Sequence, residues 1–263
     1  PYTLTQTVGS ADLIADDGTA TVFINYRASE AEEPTSRYDF RLDLAPTTLS
    51  SVDFDVTALR QRTTTRQWQS NAMLSGSGLP FLWAQRKGVF LIAGESSSGG
   101  GTNGLIGFPD QFPADRWYLA SGPTLMPEIV QAVDPASTDI IVMDPLPGFI
   151  DDNTITYDAD AGTVSVMAPG VTPIHFGHLR LATSSEVWEI YFPATALQVS
   201  ADILTLALPE HPDNAQLPAF DSVSIELYRL DGGASAEALY RYLWNRRTHA
   251  LPSFAMQSEF TFL

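Results

Sequence analysis

The 263-residue sequence contains no cysteine, so disulfide bonds, thiolate metal sites and a cysteine nucleophile are all excluded. Basic residues are also scarce: 14 Lys and Arg stand against 31 Asp and Glu, and Lys87 is the single lysine. The resulting formal net charge of -17 repels nucleic acid and anionic membranes, so we expect neither as a partner. Because excess carboxylates keep proteins soluble in salty media, we interpret the charge as adaptation rather than as an acidic binding site.

The sequence lacks any apolar run near the roughly 20 residues of a membrane-spanning helix, so we do not expect it to span a membrane. It begins at Pro1 without a methionine, which favours removal of a signal peptide or lipoprotein leader over a trimmed expression product. It also lacks Asn-x-Ser/Thr sequons, which favours a bacterial origin. We therefore expect a secreted, periplasmic or lipid-anchored protein of a bacterial cell envelope, with any lipid anchor attached before Pro1.

Alternation of apolar and polar residues is the dominant pattern and predicts β-strands. It is clear at residues 38–44, 187–192 and 223–227. The Asp-Asp-Gly at 16–18 predicts a hairpin turn, because glycine tolerates positive φ and an aspartate side chain bonds the turn backbone. Short strands separated by Gly, Pro and Asp turns are typical of antiparallel sandwiches, so we predict an all-β, mostly antiparallel β-sandwich fold.

Turn residues crowd 122–135 and predict a boundary between two β-sandwich domains, 1–130 and 131–263. Residues 125–133 are predicted to form a short helix or an irregular connection. One convincing helix is predicted at 235–247, with a serine cap and two arginines at its C-terminal end. The second domain resembles the fibronectin-III and immunoglobulin-like class, through its proline-rich lead-in and Trp188. The resemblance implies a sandwich and assigns no functional residue.

The run Gly88–Gly104 contains the most suggestive candidate for catalysis. The apolar residues 89–93 precede Gly94, Glu95 and Ser96, which resembles the strand-then-Gly-x-Ser-x-Gly elbow of α/β-hydrolases. The second glycine of that motif is replaced by serine, and the glycine-rich continuation is unsuited to the helix that an elbow must precede. We therefore expect a Gly/Ser loop, with Ser96 kept as the candidate nucleophile and His175 or His178 as its base.

His175 and His178 also suggest a metal site. In a regular strand they would point to opposite faces, because same-face residues are separated by two. The apolar pattern shifts from Ile174 and Phe176 to residues 179 and 181, which favours a β-bulge at Gly177 that would change this. No third ligand has readable spacing, so we do not predict a zinc site.

Residues 154–167 predict a hairpin in which Ile155 and Tyr157 face Val164 and Val166. Its turn, with a nearby acidic pair, contains the candidate calcium ligands: Asp151, Asp152, Asp158 and Asp160. An EF-hand is excluded, because the twelfth position from the first turn aspartate is a proline. We expect a plain Asp/Gly turn and no cofactor, with a different kind of calcium site as the alternative.

Two further groups of residues are candidates for ligand binding. Arg60, Arg62 and Arg66 form either a small anion clamp or, as we expect, the solvent face of a strand. The tryptophan rings would serve either as glycan-stacking platforms or, more commonly, as parts of the core. These are Trp68, Trp83 and Trp117.

No convergent catalytic set is readable in the sequence. We therefore predict a non-catalytic, exported β-sandwich protein that acts as a binding or structural module, with a protein or glycan partner at the cell envelope. The alternatives are an exported serine hydrolase using Ser96 and a glycan-binding module using the tryptophans.

Overall fold

The computed structural model consists mostly of antiparallel β-strands, with one short α-helix among the described residues. This confirms the predicted all-β class. In the described part of the chain, no helix is long and apolar enough to cross a membrane. The structure describes residues 14–26, 37–48, 52–55, 57–71, 80–98, 102–122, 129–143, 155–167, 174–200, 202–210, 219–230, 236–245, 251 and 253–262.

The chain forms two compact units, each built from two stretches of sequence. The first unit comprises Pro1–Asp144 and Glu237–Ser253, and the second comprises Pro145–Ala236 and Phe254–Leu263. The predicted division into independent domains at residues 130 and 131 stays a prediction.

The first unit holds the first ten described strands and nearly all of the helix α1. Their bounds are β1 Ala20–Tyr26, β2 Arg37–Leu44, β3 Thr64–Gln69, β4 Phe81–Arg86, β5 Val89–Glu95, β6 Ser97–Ser98, β7 Asn103–Phe108, β8 Arg116–Ser121, β9 Ile129–Val133, β10 Ile141–Val142 and α1 Ala236–Asn245. A short 3-10 turn follows β2 at Pro46–Thr48. The helix lies within the predicted 235–247, whereas the predicted helix or connection at 125–133 is wrong, because its second half forms β9.

Three sets of paired strands make up this first unit: β1 with β2, then β10, β3, β7 and β6 in that order, then β9, β8, β4 and β5. Their shared core is rich in aromatic rings whose centroids lie 5.2 to 6.4 Å apart. The cluster contains Phe23, Tyr38, Phe40, Phe108, Phe112 and Trp117. Such ring pairs stabilise a core beyond their buried area.

The predicted turn at 16–18 is confirmed and is tied to the turn between β4 and β5. Lys87 occupies that second turn in the left-handed region, at φ 50°. Its Nζ lies 2.5 Å from Asp17 Oδ2 and 2.6 Å from Asp43 Oδ1. Hydrogen bonds from Lys87 and Thr19 hold the pKa of Asp17 well below its usual value. The chain's single lysine therefore links the turn at 16–18 to the end of β2.

The remaining strands belong to the second unit and form two antiparallel sets, β11-β12-β16-β15 and β14-β13-β17-β18. A 3-10 turn at Ala194–Ala196 connects one set to the other. The bounds are β11 Ile155–Asp158, β12 Thr163–Met167, β13 Phe176–Ala182, β14 Val187–Pro193, β15 Leu197–Ser200, β16 Ile203–Ala207, β17 Ser222–Leu230 and β18 Phe254–Phe262.

Each set of the second unit buries one face. The buried residues are Val164, Val166, Leu204 and Leu206 on one set, with Leu179, Leu181, Val223 and Ile225 on the other. Phe220 joins the sets, since its ring packs against Tyr157 at 5.3 Å and Trp188 at 5.6 Å. Within the first set, Ile155 pairs with Val166 and Tyr157 with Val164, which confirms the predicted hairpin.

Candidate functional site

The strand β14 is the end of its set among the described strands, where it pairs with β13 alone. The pairing is continuous over seven residues, from Val187 opposite Ala182 to Pro193 opposite Phe176. The other side of β14 therefore has no partner strand within the described part of the chain.

Backbone hydrogen bonds fix the direction of each group along β14. Thr183 N donates to Glu186 O at 2.8 Å where the hairpin turns, and Ala194 N donates to His175 O at 3.2 Å beyond its far end. Residues in an antiparallel ladder exchange such bonds at every second position, so the rest of β14 follows from these two.

Alternate residues of β14 thus direct their N–H and C=O groups toward β13 or away from it. The residues whose backbone N–H and C=O groups point toward β13 are Trp188, Ile190 and Phe192. Those that face away are Val187, Glu189 and Tyr191, and we call their outward N–H and C=O groups the outer edge. The Val187 side chain is 52% exposed and Glu189 is exposed as well. The outer edge therefore lies beside accessible side chains.

Next to the outer edge lies a row of polar and aromatic residues across three strands. Tyr191 is opposite His178, which is opposite Glu226, and the His178 and Tyr191 rings stack at 4.4 Å. The Glu226 carboxylate Oε2 accepts a hydrogen bond from Tyr228 Oη at 2.6 Å and lies 3.1 Å from His178 Nδ1. His178 Nε2 is buried and has no hydrogen-bond partner among the described residues. A carboxylate that holds one imidazole nitrogen fixes the ring's orientation.

The structure separates His175 from His178. His175 precedes β13, and its Nδ1 accepts a hydrogen bond from Leu230 N at 3.0 Å. The bulge expected at Gly177 is wrong, because the pairing of β13 runs without a shift on both sides. The apolar pattern shifts there for another reason: Phe176 lies on the His178 face, where its ring packs against Tyr228 at 5.7 Å.

Gly177 is required by the ring of Phe192, not by an irregular backbone. A Cβ built on Gly177 would fall 2.9 Å from Cε1 of that ring and closer still to Cζ and Cε2. Real Cβ atoms are not found at such distances from a neighbour. The glycine thus lets β14 place a buried phenylalanine directly over β13.

Ser96 lies in the first unit, whereas His175 and His178 belong to the second. The residue is buried, and its backbone N donates to Pro80 O at 2.8 Å. The strand β6 follows it at once, so the turn is not the strand-to-helix elbow that exposes a hydrolase nucleophile.

The three arginines have separate partners. Arg60 lies 3.3 Å from Asp39 and stacks over Phe40, whereas Arg66 is buried and donates to the carbonyls of Asp134 and Asp139. In the described contacts, each of the three arginines bonds to its own part of the fold, so the contacts do not form one anion clamp. The sequence contains no signal that predicts which backbone carbonyls a buried arginine will contact.

Arg62 is buried between strands and held by neutral acceptors. It donates to Gly107 O at 2.8 Å, to Asn25 Oδ1 at 2.5 Å and to Ala93 O. Burial lowers the pKa of Arg62 to about 10, which still leaves the guanidinium charged at neutral pH. Its role is to connect β1, β5 and β7.

The tryptophans named as glycan platforms lie in the first unit's core. Trp68 is 1% exposed and Trp83 is 4% exposed. Trp117 is half-buried, and its ring packs against Phe108 at 5.6 Å and Phe112 at 6.0 Å. Two of the three rings therefore offer no open face on which a sugar could stack.

Of the calcium candidates, Asp151 and Asp152 lie outside the described residues. Asp158 Oδ1 accepts hydrogen bonds from Asp160 N at 3.0 Å and Ala161 N at 2.9 Å, which is the expected turn between β11 and β12. Asp160 is exposed in that turn. Within the described ranges, no group of three or more His, Asp or Glu side chains is arranged to hold a metal ion.

The comparisons with known proteins add no relative: no family model, curated protein or solved structure matches the chain. Sequence reasoning identified β14 as a strand but missed its position at the end of a set. It also missed the contact of His178 with Glu226, which are 48 residues apart. The only local signal was the near absence of charge from residues 187–193, which is unusual for an exposed strand.

Proposed function

We propose that the protein is an exported, non-catalytic binding module of the bacterial cell envelope and that its partner is a protein. The observation that carries the proposal is the outer edge of β14, which has no partner strand among the described strands and lies beside the exposed residues Val187 and Glu189. Extended segments bind proteins at such edges by adding a strand, with backbone hydrogen bonds supplying affinity.

The composition supports export to the cell envelope. The chain is acidic and rich in Ser and Thr. An outward-facing Ser165 Oγ pairs with Thr205 Oγ1 across β12 and β16 at 2.9 Å, as expected for a sheet face that contacts solvent. Immunodetection of the native protein in medium, periplasm and membrane fractions of the producing cells tests this part. Its recovery in the cytoplasm alone would refute export.

Catalysis is tested by a turnover screen. Purified protein is incubated with nitrophenyl esters, nitrophenyl glycosides and a casein substrate, and is labelled in parallel with a fluorophosphonate probe. We expect turnover at the buffer rate and no labelling, because Ser96 is buried and is not presented by an elbow.

The matched control for the screen is Ser96→Ala. Turnover or labelling that this one substitution abolishes would show an exported serine hydrolase and overturn the non-catalytic proposal. Activity abolished by a different single substitution would overturn it equally.

A further inference from the structure

We infer that the outward face of β3 and its neighbours β7 and β10 binds an extended, neutral glycan that carries acetamido groups. This goes beyond the proposed function, because it assigns a second kind of partner to a surface of the first unit, whereas β14 belongs to the second. Three features of the face support it: the register of the strands, the unused carboxamide groups and the lack of charge among its residues.

The strand β3 buries the side chains of one side and exposes those of the other. Gln67 and Gln69 are on the exposed side. Gln69 is opposite Asn103 of β7 and beside Val142 of β10 in the sheet. Gln67 is opposite Leu105 of β7. We call this outward group the amide face, which consists of Gln67, Gln69, Asn103, Leu105 and Val142.

Three carboxamide groups on the amide face are available to a ligand. The side chains of Gln67, Gln69 and Asn103 are exposed and form no hydrogen bond with the described part of the chain. Each carboxamide has two N–H donors and an acceptor oxygen, so each can bond a donor and an acceptor of a ligand at once. Opposite side chains lie about 5 Å apart and alternate ones along a strand about 7 Å apart, so one bound molecule can contact all three.

Charge selects a neutral ligand. None of the five residues of the amide face is charged, although 17% of the chain is, and the outward face of β13 and β14 holds Arg180 opposite Glu189. Two carboxylates lie at the margin of the amide face, Asp110 at the start of β3 and Asp139 in the loop before β10. An anionic glycan would be repelled by these carboxylates and by the net charge of -17, so a neutral glycan fits the face better.

An exposed apolar side chain beside a carboxamide selects the kind of neutral glycan. Val142 is 45% exposed and lies beside Gln69. An acetamido group combines a methyl group with an amide, so its methyl can cover the valine while its N–H and C=O bond the glutamine. A sugar that carries hydroxyl groups alone leaves the valine exposed. The face therefore favours a glycan with acetamido groups over one without them.

The test compares two neutral hexasaccharides with the same β-1,4-linked backbone. Chitohexaose carries acetamido groups where cellohexaose carries hydroxyl groups. Each is titrated to about 5 mM into the isotopically labelled full chain while backbone and side-chain amide resonances are followed, a range that detects millimolar dissociation constants.

We expect chitohexaose to shift resonances of β3, β7 and β10, including the side-chain amides of Gln67, Gln69 and Asn103. It should bind about three- to tenfold more tightly than cellohexaose, because one net hydrogen bond or one buried methyl group contributes in that range. The dissociation constant should be unchanged in about 0.5 M sodium chloride, because no charged group takes part.

Single substitutions locate the binding surface. Gln69→Leu should weaken chitohexaose binding about three- to tenfold, because it removes one carboxamide and keeps the size of the side chain. The matched control is Gln198→Leu, which changes an exposed glutamine on β15 of the second unit and should leave binding unchanged. Val142→Ser should weaken the binding of chitohexaose and leave that of cellohexaose unchanged, so that the two affinities become similar.

Several results would overturn the inference. These are absence of shifts with both sugars, shifts confined to residues outside the amide face, equal affinity for the two sugars, loss of binding in high salt, and equal weakening by Gln69→Leu and Gln198→Leu. Concentration-dependent shifts of β3 in the absence of sugar would make a second copy of the chain the occupant and would overturn it as well. None of these results bears on export, catalysis or the protein partner at β14, so failure of this inference and failure of the proposed function are distinguishable.

Discussion

Replacing Gly177 by alanine should destabilise the second unit through a single collision. The new Cβ would overlap the ring of Phe192, which is buried and 3% exposed. Inserting a methyl group into a packed core costs about 1–3 kcal/mol, and the severity of this overlap puts Gly177→Ala at the upper end, near 3 kcal/mol.

The double-mutant cycle with Phe192→Ala isolates that collision. Phe192→Ala alone should cost about 3–5 kcal/mol, because it empties a buried site. In the Phe192→Ala background the alanine at 177 meets no ring, so its cost should fall to within about 0.5 kcal/mol of zero. Gly177→Ala should therefore be about 2–3 kcal/mol less destabilising in the Phe192→Ala background than in the parent, and this difference is the coupling free energy between the two substitutions.

Urea unfolding of the four proteins provides the free energies, followed by far-UV circular dichroism and by the fluorescence of Trp188 and the other tryptophans. Because two compact units are present, the second unit's transition has to be resolved separately before the cycle is closed. Additivity within about 0.5 kcal/mol would refute the reasoning. It would mean that the backbone conformation, and not the phenylalanine ring, requires glycine at Gly177.

Other consequences of the structure can be tested with single substitutions. Arg62→Met should cost about 2–4 kcal/mol of unfolding free energy, because two buried carbonyls lose their donor while the cost of burying the guanidinium disappears. Arg60→Met should cost below about 1 kcal/mol, because Arg60 is only half-buried and its ion pair with Asp39 is partly solvated. Equal losses in urea unfolding would contradict this. Lys87 lowers the pKa of Asp17, so the associated stability is present above the ordinary aspartate pKa of about 3.9 and is lost as pH falls through the lower folded value. Lys87→Met should therefore begin acid unfolding at a higher pH than the parent, and an unchanged acid titration followed by fluorescence would show that the contact with Asp17 does not form. The same difference should shrink in 1 M salt, where exposed charges are screened.

Local patterns in the sequence predicted local structure well. Alternation in residues 154–167 correctly predicted which residues face each other in the β11–β12 hairpin, because its strands are separated by a short turn. The helix was predicted from its capping serine and from the two arginines at its C-terminal end, and α1 lies within the predicted bounds. These features depend on neighbours within about a dozen residues, which the sequence displays directly.

Features that depend on distant parts of the chain were not predicted. Residues 125–133 carry no decisive period, and β9 forms because β8 offers Val133 and Ile129 a partner strand. Gly177 was assigned a bulge from the shift of the apolar pattern, because its contact with Phe192 crosses between strands and leaves no local signal in the sequence. Tertiary packing outweighs local preference in such cases.

The candidate site also depends on distant parts of the chain and was therefore not predicted. The sequence showed that residues 187–192 form a strand, but an edge and a centre strand differ only in what lies beside them. The consecutive hairpins β13–β14 and β15–β16 belong to two different sets. That division is what leaves β14 at the end of its set.

Amide hydrogen exchange in the free protein tests the central claim most directly. If β14 is an uncovered edge, the N–H groups of Val187 and Glu189 should exchange several orders of magnitude faster than the N–H groups that bond to β13. Those protected groups belong to Trp188, Ile190 and Phe192. Equal protection of all five amides would show that another part of the chain already covers β14, and would contradict the account.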